Sequence, residues 1–280
     1  MIKHVDELVR DCRINVGEHP DQGVTLSKDV LTKINNAKDG ILNKILAMNH
    51  LFLCTYYDLS LDGSLEYTLP LYVDRIAAIE DISTSASSPQ DTEPIYFENR
   101  FKYLNDYVGG SNQGINFYKK GRSLGIPSKM SSGTLRIYYP IQPANLFRDI
   151  LDSQTSTTIT FPSATTNRLG KMVLVDGYYN GSFAVDKTSG EYHEITDWDA
   201  STRVATCGTW VNTPSEISIA CPLSPRFQEL ISLEASIRWR QVLDDPVTDM
   251  KFQVRELWKD LEELIIVDVT QRNEHVKQRR

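Results

Sequence analysis

Histidine and cysteine are scarce in this 280-residue sequence, and those present are scattered. The five histidines lie in separate segments without metal-ligand spacing, at His4, His19, His50, His193 and His275. The four cysteines form no Cys-x-x-Cys pair, at Cys12, Cys54, Cys207 and Cys221. This usage argues against a zinc site or a disulfide framework, and it predicts buried, reduced thiols in a reducing compartment.

The motifs of the common enzyme classes are also missing. The chain has no G-x-S-x-G nucleophile turn, no G-x-x-x-x-G-K-[ST] phosphate loop, no G-x-G-x-x-G after a strand and no H-E-x-x-H helix. We therefore predict a protein without catalytic activity, cofactor or metal.

Long apolar runs and an excess of basic charge are absent as well. The most apolar short run, "LIIV", is far too short to cross a bilayer, and the N-terminus is charged every few positions, unlike a secretory signal. The net charge is −7 and the pI is near 5.3, which argues against a protein that coats DNA by neutralising phosphates. These features predict a soluble protein made in a cytoplasm.

The last ten residues are a local exception to this acidic balance. Their net charge is about +3, so the rest of the chain has a net charge of about −10. The basic residues of this tail are Arg272, Lys277, Arg279 and Arg280. Two interpretations stay open, a solvated and frayed end or an arm that docks on an acidic partner surface.

Helical periodicity is present near the N-terminus. Apolar residues recur at steps of three and four to form one stripe, namely Val30, Ile34, Ala37, Ile41, Ile45 and Met48, widened by Leu31, Leu42 and Leu46. Thr25 or Ser27 is the expected N-cap of this long helix. A shorter amphipathic helix precedes it and ends at Gly17.

Two more helices are predicted near the C-terminus. Ser224 with Pro225, and Asp245 with Pro246, each fit an N-cap followed by proline at the first helical position. The second helix has an apolar seam at steps of three and four, formed by Val247, Met250, Val254, Leu257, Leu261 and Leu264. We expect these helices to form an antiparallel pair that packs on the long N-terminal helix.

Strand patterns fill the middle of the chain. One strand pattern alternates Leu135, Ile137 and Tyr139 with Arg136 and Tyr138. Short β-rich runs separated by turn signals then follow over residues 155–223. The predicted fold is α+β, a helical bundle of N-terminal helices and a C-terminal helix pair, with an inserted antiparallel β-barrel or sandwich. We expect the N-terminal helices and a β corner at 1–150 and the β insertion at 151–222. The C-terminal helix pair follows at 223–270, and the basic tail at 271–280.

One polar cluster could carry chemistry. His193 has Glu191, Glu194 and Asp197 close in sequence, so a metal or acid–base site is conceivable. In a strand, His193 shares a face with Glu191, and Glu194 lies on the other face. The alternative is that these are ordinary surface residues beside a turn of the barrel.

A proline separates two strand candidates in "SLEYTLPLYVDRIAAIED". Pro70 lacks a backbone donor, and it favours an extended conformation for Leu69, so we expect a fixed bend at this point. We predict that a strand leaves the helical body before Pro70 and that Ile76 and Ile79 pack back on that body.

The order of these segments carries a resemblance. The first group follows the N-terminal helices and consists of Tyr67, Leu69, Pro70, Ile76 and Ile79. The second group lies at the end of the central strand and consists of Tyr138, Tyr139, Pro140 and Pro143. The third group begins the C-terminal helices and consists of Pro225, Phe227, Leu230, Ile231 and Ala235. In this order they are similar to the head–tail adaptor (connector) proteins of tailed phages, especially short-tailed ones.

The inserted segment has a resemblance of its own. Its glycine, turn, tryptophan and proline positions are Gly190, Ile195, Trp198, Asp199, Ala200, Thr202, Ala205, Thr206, Trp210 and Pro214. This pattern is similar to small β-barrel segments of phage virion proteins.

The resemblance implies a structural protein of the virion head–tail junction, assembled in the host cytoplasm and without catalysis. Such adaptors form a ring, typically of twelve copies, that binds the portal protein and the next tail or nozzle protein. The genome passes through the channel without sequence-specific binding, and no membrane is involved. The basic tail, with Arg272, Lys277, Arg279 and Arg280, is then the arm that docks into the portal.

Two alternatives remain. The chain could be another virion ring or decoration protein, with the β insertion as its main interaction module. It could instead be a tail protein that binds or degrades glycans through Trp198, Asp199 and Trp210.

Overall fold

Helices and largely antiparallel sheets make up the part of the chain that the computed structural model describes. The described residues are 2–21, 25–49, 52–73, 75–82, 90–91, 93–94, 116–126 and 133–278. The four helices in this part are α1 (Val5–Asn15), α2 (Ser27–Met48), α3 (Pro225–Val242) and α4 (Thr248–Gln278). The predicted mixture of helices and antiparallel β-structure is confirmed.

The chain folds into two compact units. The first unit combines Met1–Leu53 with Ile141–Arg280, and the second is Cys54–Pro140. The four helices and the segment 151–222 therefore belong to the same unit.

The four helices share one hydrophobic core in the first unit. Its fully buried members come from all four helices and include Leu8, Cys12, Ile34, Ile41, Ile45, Leu230, Ile231, Leu261 and Ile265. The predicted stripe of α2 is confirmed except at Met48, which is exposed at the helix end. Burial of this stripe stabilises the helix, because in proteins the packing of an apolar face contributes more to helix stability than intrinsic propensity does.

The predicted caps are right at one helix and wrong at two. α3 begins at Pro225 after Ser224 as predicted, although no side chain caps it. α2 follows Leu26, because the Thr25 hydroxyl donates to Glu18 instead of capping. Asp245 does not start α4, since its N–H donates to the Arg240 carbonyl and thereby ends α3.

The C-terminal seam differs from the predicted heptad. Val254, Leu261 and Ile265 are buried, whereas Leu264 is exposed. A straight helix has 3.6 residues per turn, so a strict seven-residue spacing drifts away from the core and Ile265 replaces Leu264.

Seven antiparallel strands form a curled half-barrel in the first unit. They are β9 (Phe147–Ile150), β10 (Ser153–Gln154), β11 (Thr158–Thr160), β12 (Phe183–Asp186), β13 (Tyr192–Asp199), β14 (Val204–Cys207) and β15 (Glu216–Ala220). Their spatial order is β10-β11-β14-β13-β12-β15-β9. Within the predicted β-rich segment, residues 171–177 form no strand, because they have irregular and turn structure.

A β-bulge sets the inner face of the half-barrel. Ile195 and Trp198 are both buried although they are three positions apart, which a regular strand of period two does not allow. They face Cys207 and Ala205, which are two apart, so Thr196 is the extra residue of the bulge.

In its described residues the second unit contains two four-stranded sheets. Its strands are β1 (Cys54–Leu61), β2 (Glu66–Thr68), β3 (Ala78–Asp81), β4 (Gln90–Asp91), β5 (Glu93–Pro94), β6 (Asn116–Lys120), β7 (Ser123–Gly125) and β8 (Gly133–Pro140). One sheet has the order β1-β8-β3-β4, and the other has the order β2-β7-β6-β5. The predicted alternation in β8 is confirmed, with Leu135, Ile137 and Tyr139 buried.

Pro70 separates strands that belong to different sheets. β2 and β3 lie on either side of it, and the Pro70 carbonyl accepts the Val73 N–H at 3.1 Å to close a turn. The predicted bend is thus confirmed. The predicted packing of Ile76 and Ile79 on the helices is wrong, because both join the core of the second unit.

The chain enters and leaves the second unit at adjacent points. The Ile141 N–H donates to the Leu53 carbonyl at 3.0 Å on the first unit's side of the junction. On the other side Cys54 pairs with Pro140 at the end of the β1–β8 ladder. The second unit is therefore inserted into a first unit whose chain ends meet.

Three cysteines fit the prediction of buried thiols. Cys12, Cys207 and Cys221 are buried, and Cys54 is half-buried. Burial raises the pKa of Cys12 to about 11 and those of Cys207 and Cys221 to about 12. These three thiols are therefore protonated packing groups at neutral pH.

Candidate interaction surface

An open groove of about 640 Å³ lies where Lys44 of α2 approaches α4. We call it the basic groove and define it by Lys44, Lys251, Arg255, Trp258 and Lys259. Two carboxylates, Glu256 and Glu262, also line it. In a chain of net charge −7, this concentration of cations is a local reversal of sign.

The helical period places the cations of α4 in one row. Lys251, Arg255 and Lys259 follow at intervals of four, so they lie on one side of the helix beside its buried seam. Like charges at this spacing repel one another and slightly destabilise the helix. Within the described residues, none of these three side chains lies within ion-pair distance of a carboxylate.

Lys44 and Trp258 form the floor of the basic groove. The Lys44 Nζ lies 3.8 Å from the centroid of the Trp258 ring and 3.2 Å from a carboxylate oxygen of Glu262. A cation over an indole stabilises by about 0.5–1 kcal/mol at an exposed site. Lys44 therefore has its partners within the chain, whereas the row on α4 offers its charge outward.

The same helix is apolar on all sides one turn further on. Ile265 is only 2% exposed, but its neighbours Leu264, Ile266 and Val267 are 46%, 60% and 50% exposed. A helix that is hydrophobic all round is normally buried all round. Within the described residues, Ile265 faces the core, whereas Leu264 and Val267 present apolar surface that another molecule can cover.

The predicted cluster around His193 is divided by the sheet. Glu191 accepts hydrogen bonds from the His193 ring and from the N–H groups of Val211 and Asn212. Burial opposes ionisation of Glu191, but these donors outweigh it and lower its pKa to about 2. Glu191 thus anchors a loop. Among the described residues no group of three or more His, Cys, Asp or Glu is arranged to hold a metal ion.

The residues of the glycan hypothesis lie in the core and in a turn. Trp198 is 1% exposed and packs against Tyr179, with 5.1 Å between ring centroids. Trp210 is 6% exposed and packs against His193. Asp199 accepts bonds from Ser201, chiefly from its hydroxyl, and these lower the Asp199 pKa to about 2. The predicted inward packing of Trp198 and the hairpin at Asp199 are confirmed, and neither indole is open to stack on a sugar.

A second charged surface lies on the outside of the half-barrel. We call it the acidic face and define it by Asp176, Glu194 and Asp197, which are all exposed. Partial burial raises the pKa of Asp197, and the nearby carboxylates of Asp199 and Asp176 raise it further. Partial burial also raises the pKa of Glu194. In the described structure no lysine or arginine forms an ion pair with these three groups.

The basic tail is described only in part. The backbone of α4 continues to Gln278, so Arg272 and Lys277 belong to this helix. Arg279 and Arg280 lie outside the described residues.

Comparisons with known proteins add no family. A scan against protein-family models and a search of curated proteins each return no match. No helix in the described part of the chain has an apolar stretch long enough to cross a membrane.

Proposed function

We propose that this protein is a virion structural protein that forms an adaptor ring between the portal vertex and the tail of a phage, without catalysis. The support from sequence is the order of the Tyr67–Pro70, Tyr138–Pro143 and Pro225–Ala235 segments, which is similar to head–tail adaptors. In this proposal the four helices form the bundle of an adaptor body, and the half-barrel is its inserted module.

The observation that carries the proposal is the exposed apolar surface of α4. Leu264 and Val267 leave apolar surface in water beside the row of cations, which has no carboxylate partner among the described residues. Full burial of such a side chain contributes about 1.5–3 kcal/mol. A subunit that assembles with other chains gains this energy, whereas a free monomer does not.

The partners in this proposal are other copies of the chain, the portal protein and the next tail or nozzle protein. A ring of twelve copies repeats one head-to-tail contact until it closes, and this needs two different faces on each subunit. The net charge of −7 suits a channel through which DNA passes without sequence-specific binding.

Reconstitution with the portal protein of the same phage tests the proposal. We expect electron microscopy of the mixture to show a ring of this protein stacked on the portal. Absence of the ring at high concentrations of both proteins would contradict the proposal. Density for the protein elsewhere on the capsid would favour a decoration protein instead.

The basic tail supplies a sharper variant of this test. Deletion of residues 271–280 should abolish co-assembly with the portal, because it removes Arg272, Lys277, Arg279 and Arg280. A matched control replaces these four residues by glutamine and keeps the chain length. Normal stacking by both variants would show that the tail is not the docking arm.

A further inference from the structure

We propose that the basic groove of one copy binds the acidic face of the next copy, so that the two surfaces form the repeating contact of a ring. This inference rests on the proposed function and names the self-interface within it. The partner is a second copy of this chain, bound head to tail.

The groove side of the contact combines charge with apolar surface. Lys251, Arg255 and Lys259 project from one side of α4 without a carboxylate partner among the described residues. Phe252, three residues before Arg255, is 65% exposed, and Trp258 is half-buried on the floor. A partner must therefore present carboxylates next to apolar side chains.

The outside of the half-barrel presents that combination. Asp176 follows directly on two exposed apolar residues, Leu174 and Val175, in the turn before β12. The Asp176 carboxylate accepts the Ala200 N–H at 2.9 Å, which holds this turn beside the end of β13. Glu194 and Asp197 are on the exposed side of β13 itself, and Tyr192 on the same strand is exposed. The face is thus rigid, acidic and bordered by apolar groups.

The like charges on each surface favour contact between the two surfaces. Partial burial makes the ionised form of Asp197 less stable in the single chain, and the nearby carboxylates of Asp199 and Asp176 add to this effect. On α4 the repulsion is between positive charges, because three cations lie on one side of the helix. Ion pairs across the contact relieve both repulsions at once, and no ion pair joins the two surfaces within one chain in the described residues.

A second copy fits the groove better than a nucleic acid does. Glu256 and Glu262 also line the groove and would repel phosphates, whereas a protein surface can place its own donors there. Because groove and face are carried by the same chain and are complementary, the contact repeats in one direction. A closed two-fold dimer would instead join the groove and the face of each copy to those of one single partner, so an assembly larger than a dimer is the result we expect.

Charge reversal tests the contact with the full-length protein. The groove variant carries Lys251→Glu and Arg255→Glu, and the face variant carries Glu194→Lys and Asp197→Lys. Arg10→Glu with Lys28→Glu is the matched control, because both side chains are exposed and lie outside the groove. Sedimentation velocity and native mass spectrometry measure self-association, with and without the portal, and circular dichroism checks folding.

We expect each reversed variant to associate with itself at least tenfold more weakly than the wild type and the control. An equimolar mixture of the two variants should regain assembly, because the reversed groove then meets the reversed face. Association that weakens on reversal but does not return in the mixture would overturn the pairing. Undiminished association of both variants would overturn it too, and loss of DNA binding alone in the groove variant would assign the groove to nucleic acid.

The outcomes separate this inference from the proposed function. If both variants stack on the portal as well as the wild type does, the pairing is wrong and the adaptor function stands. If the wild type never stacks on the portal but the charge swap governs its self-association, the pairing stands and the adaptor function is wrong.

Discussion

The half-barrel and α4 carry similar numbers of charged residues but use them in opposite ways. On the half-barrel, Asp149 and Arg168 form a buried ion pair at 2.7 Å, and Glu191 holds a loop through four donors. On α4, Lys251, Arg255 and Lys259 have no such partners in the described chain. The difference teaches that charge type alone does not reveal a role, since the presence of an internal partner decides whether a charge is structural or available.

The junction of α1 with the half-barrel shows the internal use most fully. Asp6 pairs with Arg148 at 2.9 Å and with Lys187 at 3.0 Å. Glu216 pairs with the same two cations, at 3.1 Å and 2.9 Å. Every charge in this square is neutralised by two neighbours, which leaves none of them for a partner molecule.

Removal of a buried partner should have the largest effect. Asp149→Ala leaves Arg168 with a nearly buried and uncompensated charge, so we expect a loss of about 3–5 kcal/mol in the free energy of unfolding. All four tryptophans lie in the first unit, so their fluorescence during urea unfolding reports on that unit alone. The control, Asp152→Ala, removes an exposed carboxylate and should change the free energy little. A loss below about 1 kcal/mol for Asp149→Ala would contradict the structural role of the pair.

Removal of the loop anchor should have an intermediate effect. Glu191→Ala removes the acceptor of the N–H groups of Val211 and Asn212, which are exposed and can bond to water instead, so we expect a loss of about 0.5–1.5 kcal/mol. Glu194→Ala, which removes an exposed carboxylate of the adjoining strand β13, is the control. Equal stability of the two variants would show that the loop does not depend on Glu191.

The same anchor gives a pH dependence with a defined sign. The Glu191 pKa is lowered from 4.5 to about 2 in the folded protein. Its contribution to stability is therefore complete above pH 4.5 and is lost as the pH falls toward about 2. Urea unfolding between pH 6 and pH 2.5 should show a smaller fall for Glu191→Ala than for the wild type, and parallel curves would contradict this.

Removal of an available charge should have the smallest effect. Arg255→Ala takes away an exposed cation without a carboxylate partner, so the free energy of unfolding should stay within about 0.5 kcal/mol of the wild type. Lys44→Ala is the comparison, because Lys44 contacts Trp258 and Glu262 and its loss should cost more. A larger loss for Arg255→Ala would show that the row on α4 is structural.

Local patterns predicted much of the fold. The stripe of α2, the start of α3 and the alternation of β8 depend on neighbouring residues, and a single sequence contains them. The Thr196 bulge could not be found in this way, because it is defined by the two-residue spacing of Ala205 and Cys207 on another strand. The second unit was also hidden, since strand patterns do not state which strands pair.

The candidate surface was only half visible in the sequence. The spacing of Lys251, Arg255 and Lys259 predicts a basic side of the helix. The apolar seam beside this row predicts packing within the chain, so the sequence alone does not indicate which of the two features forms a surface. Lys44 could not be added, because its place over Trp258 depends on how α2 and α4 pack. Burial of Trp198 and Trp210 likewise became evident only in the folded half-barrel.

The junction at Leu53 and Ile141 has a consequence for protein engineering. The two chain segments arrive as a hydrogen-bonded pair, so we expect that a module whose ends lie about 5 Å apart can replace residues 54–140 while the hydrogen bond at the junction is kept. Such an exchange would replace the second unit as one piece, whereas α4 and the half-barrel belong to the first unit.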